Sequence, residues 1–424
     1  MQLTKLALFL LRIRNFLYRE IFLKRLYGWW YKPHAYYETA ELFMQKAHKQ
    51  PKKAIQEVDK LPTLTENFCI SVVPAYTSVI TNPSHIAFYA HCNSTMYVIK
   101  NNLIETISDN FVLNLVHGRV QTDVGANTAI ISPDNYIVGE VSFQYDDKKG
   151  SVPVYYNKFF RNSFAYPLKR YKGVVFSAIV GGGSNTNYFH WLVDTVSRFY
   201  LLKQLGLWQQ IDYFYMPNYE LPFQKESLAL LGITPEKIIN AQHIRHLQAT
   251  TLLCSHISRP RGHFPIWIWQ GLRELFLPIC TSSSTVLPKK LLYVSRQDTT
   301  YRKIQNEIEL LNLLKSYEFE ILILSQLSFK TQVELFSCAA VVIAQHGAGL
   351  TNIIFSPIHT VVIELYGGLV NPDFAGICQT GNLNHIGFAC EVTESSGAGI
   401  FYKENTFVDI EQLEIILKQN LHTY

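Results

Sequence analysis

Three separated stretches of this chain combine residue types and spacings suited to chemistry. The first is Val341-Val342-Ile343-Ala344-Gln345-His346-Gly347-Ala348-Gly349-Leu350-Thr351-Asn352, followed by Thr360-Val361-Val362-Ile363-Glu364-Leu365. It reads as a buried strand, a glycine-rich turn, a short helix and a second strand ending in a carboxylate. The apolar runs do not alternate, as expected of parallel strands covered on both faces. A turn such as His346 to Gly349 leaves backbone N–H groups at the start of the next helix, where the helix dipole favours an anion, most often phosphate. Gly347 and Gly349 admit close approach of a ligand, although any tight α/β turn uses the same residues. Glu364 is suited to ribose hydroxyls, as strand-end carboxylates in nucleotide-binding domains are, or to a structural salt bridge.

The second stretch is His190-Trp191-Leu192-Val193-Asp194, with Arg198 beyond it. The spacing i, i+4, i+8 puts His190, Asp194 and Arg198 on one face of an otherwise apolar helix. A His one turn from an Asp can serve as a general base with an orienting carboxylate. The same stripe also fits a solvent-facing edge or a structural network. The third is Tyr293-Val294-Ser295-Arg296, with Arg302 and Lys303 just after it. A guanidinium at a strand end offers a diphosphate two parallel donors. Of the three cations Arg296 is best placed, and Lys303 reads as a solvated loop residue.

The elements that must carry these groups follow from periodicity. From about Leu61 to Lys172 short β segments such as Ser71-Val72-Val73, His85 to Tyr89, Thr95 to Ile99 and Tyr136 to Phe143 are separated by Asn, Gly, Pro and Asp. From Gly173 strands and helices alternate: strand Val174 to Val180, turn Gly181-Gly182-Gly183, helix Tyr188 to Gly206, strand Ile211 to Tyr215, helix Gln224 to Leu231, strand Ala249 to Cys254, and a helix near Trp267 to Phe276. After a Ser/Thr-rich linker at Thr281 to Pro288 a second alternation runs to strand Val361 to Leu365, and Ile410 to Asn420 closes the chain as a helix. The expected organisation is a basic arm at 1–32, a β-rich region at 33–172, and Rossmann-like domains at 173–280 and 281–424. Alternation on both sides of a linker implies two facing parallel-sheet domains with the ligand at the strands' carboxyl ends.

Composition narrows the classes. A chain of 424 residues exceeds one ordinary core. Seven scattered cysteines without a C-x-x-C pair argue against a disulfide framework or zinc site and for a reducing compartment. The net charge of +5 is concentrated in residues 1–32, where seven basic residues against Glu20 alone make +6 and leave the remainder at about −1. The body therefore lacks the basic surface of a nucleic-acid binder. The arm mixes Lys and Arg with Phe16-Leu17-Tyr18 and Trp29-Trp30-Tyr31; it is too interrupted to span a bilayer and has no cleavage site. It suits an interfacial helix on an anionic membrane or a helix packed on its own domain. No D-x-D and no His/Cys/Asp cluster with ligand spacing occurs, so the sequence demands no metal.

Three motifs taken together resemble glycosyltransferase family 61. They are Asn187-Tyr188-Phe189-His190-Trp191-Leu192-Val193-Asp194; Leu292-Tyr293-Val294-Ser295-Arg296 with Arg302 and Asn306-Glu307; and Gln332 to Phe336 leading into His346 to Asn352, Phe355 and Glu364-Leu365. They span about Val174 to Leu365, and the N-terminal third carries no part of the likeness. The resemblance implies a GT-B fold and a nucleotide-sugar donor, usually UDP-linked, held mainly by the C-terminal domain. It also implies inversion at the anomeric carbon without a required metal or cofactor. Relatives transferring xylose, arabinose or N-acetylglucosamine are commonly luminal; this chain lacks their signal anchor, which favours a cytoplasmic enzyme on the inner face of the plasma membrane.

Joining the likeness to the residues gives a specific expectation. Backbone donors of Gly347, Ala348, Gly349 and Leu350, with Arg296, hold the diphosphate; His346 contacts diphosphate or sugar, and Glu364 binds the ribose. His190 or Asp194 deprotonates the hydroxyl of a glycan or lipid-linked acceptor, as in capsule or exopolysaccharide synthesis. The other reading is an inactive nucleotide-sugar-binding scaffold in polysaccharide assembly.

Overall fold

The computed structural model describes residues 31–33, 35–48, 53–54, 63–80, 103–146, 148–161, 165–256, 259, 263–281, 289–367, 371–394 and 405–421. Most of the basic arm, the segments His85 to Tyr89 and Thr95 to Ile99, and nearly all of the Ser/Thr-rich linker lie outside them. The described residues form two compact units. One draws on Met1–Pro74, Asp109–Glu220 and Ile233–Ile257, the other on Ala75–Ser108, Leu221–Gly232 and Ser258–Tyr424.

The first unit is built on a parallel set in the order Ile238–Asn240, Tyr213–Met216, Lys169–Ser177, His246–Ser255. Numbered along the chain this is 3-2-1-4, so the order reverses between Lys169–Ser177 and His246–Ser255. In open α/β sheets ligands bind outside the carboxyl ends at such a reversal. On its far side His246–Ser255 pairs antiparallel with Asn110–Val116 and Arg119–Thr122, and the latter with Asn127–Ile131. Strands from both sides of residue 172 therefore share one thirteen-stranded sheet among the described residues. Its core includes Phe111, Leu113, Leu115, Val175, Leu247 and Leu252. Tyr31, at the end of the basic arm, lies under Arg119 at 5.6 Å and edge-on to His246 at 5.7 Å.

The second unit holds a five-stranded, wholly parallel sheet in the order Glu320–Leu322, Lys290–Val294, Ala339–Gln345, Val361–Tyr366, Asn384–Ala389. Along the chain this is 2-1-3-4-5, with the reversal between Lys290–Val294 and Ala339–Gln345. Every residue of Ala339–Gln345 and Val361–Tyr366 is buried, as their unbroken apolar runs require. Tyr293, Ile343, Ile363 and Leu365 pack with Leu310, Leu314, Leu413 and Leu417 from helices Glu307–Ser316 and Ile410–Leu421. Each such side chain contributes about 1.5–3 kcal/mol relative to exposure. Mixed α/β construction with parallel sheets agrees with the expected GT-B class. The six cysteines among the described residues are free, and no helix among those residues is long and apolar enough to cross a membrane.

Candidate active site

In the first unit the chain leaves Lys169–Ser177 at the sheet reversal and passes through Gly181-Gly182-Gly183 into the helix bearing His190. Asn187 caps this helix, its side-chain oxygen accepting from the Phe189 and His190 amides. The expected continuous helix from Tyr188 to Gly206 is instead an α turn Tyr188–His190, a π-helical stretch Trp191–Val196 and an α segment Arg198–Gln204. The Ser197 amide reaches the Leu192 carbonyl at 3.0 Å, one residue further back than in an α-helix.

The wide turn separates the expected polar stripe. His190 Nδ1 lies 2.6 Å from an Asp194 carboxylate oxygen, with side chains 39% and 14% exposed. Arg198 is rotated off that face and buried. Its Nε donates to Ser255 Oγ at 2.7 Å, and its terminal nitrogens donate to the carbonyls of Ser177, Ile179 and Ser255. It thus bridges the carboxyl ends of the two strands where the order reverses. Burial lowers its guanidinium to about 10, while Cys254 and Asp194 act in the opposite direction. The glycines answer to side chains. A Cβ on Gly183 would sit 2.7 Å from His190 Cδ2, and one on Gly181 2.6 Å from the Phe143 ring.

In the second unit the register pairs Val294 with Ala344, so Ser295-Arg296 and Gln345-His346-Gly347 emerge side by side at the reversal. A Cβ on Gly347 would lie 2.4 Å from Arg296 Nη1 and 3.7 Å from Arg302 Nη1. The lost side chain thus makes room for guanidinium groups. Gly347 has extended backbone, with φ 167°. Gly349 likewise accommodates Leu324, whose Cδ1 is 2.8 Å from its would-be Cβ. Arg302 takes φ 54°, uncommon without a glycine, and donates from Nη1 to the His346 carbonyl at 2.9 Å. Tyr301 carries both cations on its ring, Arg296 at 5.4 Å and Arg302 at 5.9 Å.

Arg296 is half-buried and hydrogen-bonded with Tyr301. Its Nε is buried without a hydrogen-bond partner, and burial holds the guanidinium below its ordinary value, opposed by Tyr301 and Asp298. A partly buried cation with an unpartnered donor favours an anionic ligand. Ala348–Phe355 is a 3₁₀ helix, and the Leu350 amide is already bonded to the Gly347 carbonyl at 3.0 Å. The amides of Gly347, Ala348 and Gly349 remain at its open end.

Glu364 is fully buried and offers nothing to a ribose. One oxygen lies 2.5 Å from His346 Nδ1; the other accepts from the Tyr366 hydroxyl at 2.6 Å and His385 Nε2 at 2.8 Å. Burial pushes its carboxyl up, but the hydrogen bonds from His346 and His385 outweigh it and bring it to about 2. Gln332, Glu307 and Asn352 serve the scaffold. Gln332 joins Asn352 Nδ2 at 2.9 Å to the Leu324 and Leu327 carbonyls, and Glu307 accepts from Ser295 and Tyr293. Tyr301, Tyr366 and His385, which the structure brings to these groups, carry no motif signal in the sequence. His385 meets Glu364 only through strand register, whereas Tyr366 lies two residues along the same strand. Among the described residues no group of three or more His, Cys, Asp or Glu is placed to hold a metal ion.

Residues 188–363, which include His190, Asp194, Arg296, Arg302 and His346 but end before Glu364, match the family model described as Glycosyltransferase 61. The EGF domain-specific O-linked N-acetylglucosamine transferase of Bos taurus is 40% identical over 75 residues, 16% of this chain and 14% of the relative. The Drosophila melanogaster protein of that name is 35% identical over 80 residues, 18% and 15% of the two chains. The protein O-linked-mannose beta-1,4-N-acetylglucosaminyltransferase 2 of Takifugu rubripes is 38% identical over 90 residues, 20% and 15%. The chain thus spans about one seventh of the length of these relatives. The family match covers less than half of this chain, and the relatives match shorter stretches still.

Proposed function

We propose that the protein is an inverting glycosyltransferase that moves a sugar from a nucleotide-sugar, UDP-linked, to a glycan or lipid-linked acceptor in capsule or exopolysaccharide synthesis. The observation that carries this reading is Arg296, half-buried with its Nε out of water and unpartnered, against Gly347 at a sheet reversal, with Arg302 bonded to the His346 carbonyl beside it. Those cations and the open amides of Gly347 to Gly349 suit a diphosphate and would stabilise its charge as it leaves. The relatives named for N-acetylglucosamine transfer make that sugar the first donor to try.

The transfer is a single displacement. The acceptor oxygen bonds to the anomeric carbon, the bond from that carbon to the phosphate oxygen breaks, and the nucleoside diphosphate leaves. The acceptor proton passes to His190, which Asp194 holds through Nδ1; the greater exposure of the imidazole favours it over Asp194 as the base. Residues 1–32 would seat the enzyme on the inner face of the membrane.

A thermal-shift screen against UDP, GDP, CDP, dTDP and their sugars, with and without EDTA, tests the donor site. The expected result is stabilisation by UDP and UDP-N-acetylglucosamine, indifferent to EDTA and abolished by Arg296→Ala. No shift with any nucleotide at millimolar concentration overturns the donor site. Binding of UDP without donor hydrolysis or transfer puts the scaffold reading first.

A further inference from the structure

The environment of His346 points to a task for Glu364 other than ribose binding. His346 stacks on Tyr366 with centroids 5.8 Å apart and meets Phe374 edge-on at 5.3 Å, so its ring has one orientation. Its side chain is 14% exposed, whereas that of Glu364 is 0% exposed. All three partners of the carboxylate must donate to it, which places a proton on His346 Nδ1, on His385 Nε2 and on the Tyr366 oxygen.

A buried carboxylate needs a counter-cation. Tyr366 supplies a neutral hydrogen bond, and its phenol is held well above its ordinary value by burial and by Glu364. The Nδ1 atom of His385 is buried with no partner, so a second proton there would be an unsatisfied donor. The other charged neighbours do not reach the carboxylate: Arg302 bonds the His346 carbonyl, Arg296 lies on Tyr301, and Asp373 pairs with Arg259 at 3.2 Å. That leaves His346 as the group that carries the charge. With Nδ1–H turned inward, the second proton is on Nε2, and Arg302 bonds the backbone carbonyl of the same residue.

We propose that Glu364 is a positioning residue which, with His385 and Tyr366, holds His346 as an imidazolium whose Nε2–H meets the diphosphate of a nucleotide. This rests on the donor-site reading above and assigns Glu364 to the phosphate end of that site. The negative charge of Glu364 cancels that of the imidazolium in the empty site. An added phosphate then finds a preformed donor, with no ordering left to do.

The test is calorimetric titration of the full chain with UDP and with pyrophosphate, for the wild type, His346→Gln, Glu364→Gln and the double variant. Each single variant should weaken both probes about tenfold, the loss of one charged hydrogen bond. The double variant should be no weaker than the singles, since Glu364 acts through His346. Tyr366→Phe, which removes one bond to the carboxylate and keeps the ring, should show a smaller loss in the same direction. In parallel, ¹⁵N spectra of labelled histidines should find both His346 ring nitrogens protonated in the wild type and only one in Glu364→Gln. Wild-type affinity in a folded Glu364→Gln, additive losses in the double variant, or a neutral His346 in the wild type overturns the proposal while leaving the donor site standing. Failure of the wild type to bind either probe overturns the donor site and the phosphate contact together. The histidine spectra then decide whether Glu364 sets the charge of His346.

Discussion

The two histidine–carboxylate pairs have nearly equal separations, 2.6 Å for His190–Asp194 and 2.5 Å for His346–Glu364, in unlike settings. The first pair is local, one turn apart on a helix loosened by a π segment, with the imidazole open to solvent. The second is assembled from two neighbouring strands, its carboxylate sealed by a tyrosine and a second histidine. Contact distance does not set the task. An exposed imidazole with a tethered carboxylate can exchange a proton with a substrate hydroxyl, whereas a closed one holds its proton in place. Each pair also has a glycine beside it, Gly183 against His190 itself and Gly347 against Arg296.

The contrast breaks most sharply if the open pair proves dispensable. His190→Ala and Asp194→Ala should each lower transfer by about 10²–10⁴-fold, the usual range for a general base, with UDP binding kept. Folded variants with near-normal rates would remove the pair from the chemistry. Next in size is Gly183→Ala, whose new methyl would lie 2.7 Å from His190 Cδ2 and must move the imidazole. A displacement of about 1 Å costs up to about 10²-fold in rate, so turnover should fall while the melting temperature holds.

Gly347→Ala tests the closed side, since its methyl would lie 2.4 Å from Arg296 Nη1. UDP affinity should drop roughly tenfold through one disturbed charged contact, read by calorimetry. Unchanged affinity would show that Arg296 can yield without loss.

The smallest expected effects distinguish the units by pH. Burial, then Arg119, brings His246 in the first unit to about 3 from its ordinary 6.5, opposed by its bond to the Tyr166 carbonyl. Glu364 in the second lies at about 2 against 4.5. In both cases the unfolded chain binds the proton more readily, so stability is present above the ordinary value and lost as pH falls toward the folded one. The first unit should therefore weaken from about pH 6.5 downward and the second only below about pH 4.5. Each group accounts for at most about 1.4 kcal/mol per pH unit. Hydrogen exchange followed in each unit against pH, with His246→Gln and Glu364→Gln as controls, checks the order.

What the sequence could show was whatever local periodicity or spacing encodes. The unbroken apolar runs at Val341 to Ala344 and Val361 to Leu365 do become parallel buried strands, and the i, i+4 spacing of His190 and Asp194 does bring them together. The same rule failed for Arg198, because a π turn adds a residue and redirects the next side chain into the sheet. Glycine spacing marked the phosphate-type turn, but the room at Gly347 and Gly349 is taken by Arg296 and Leu324.

By itself, then, the sequence determined the α/β class and the family likeness, from patterns repeated along the chain, and the glycine turn and the His190–Asp194 pair, from residues within a few positions of each other. Only the tertiary structure decided that Arg302 joins Arg296 on Tyr301 and that Glu364 is closed off by His346 and His385. Those contacts depend on strand order and register, and on how burial changes the charge a group can carry. No spacing along the chain encodes either.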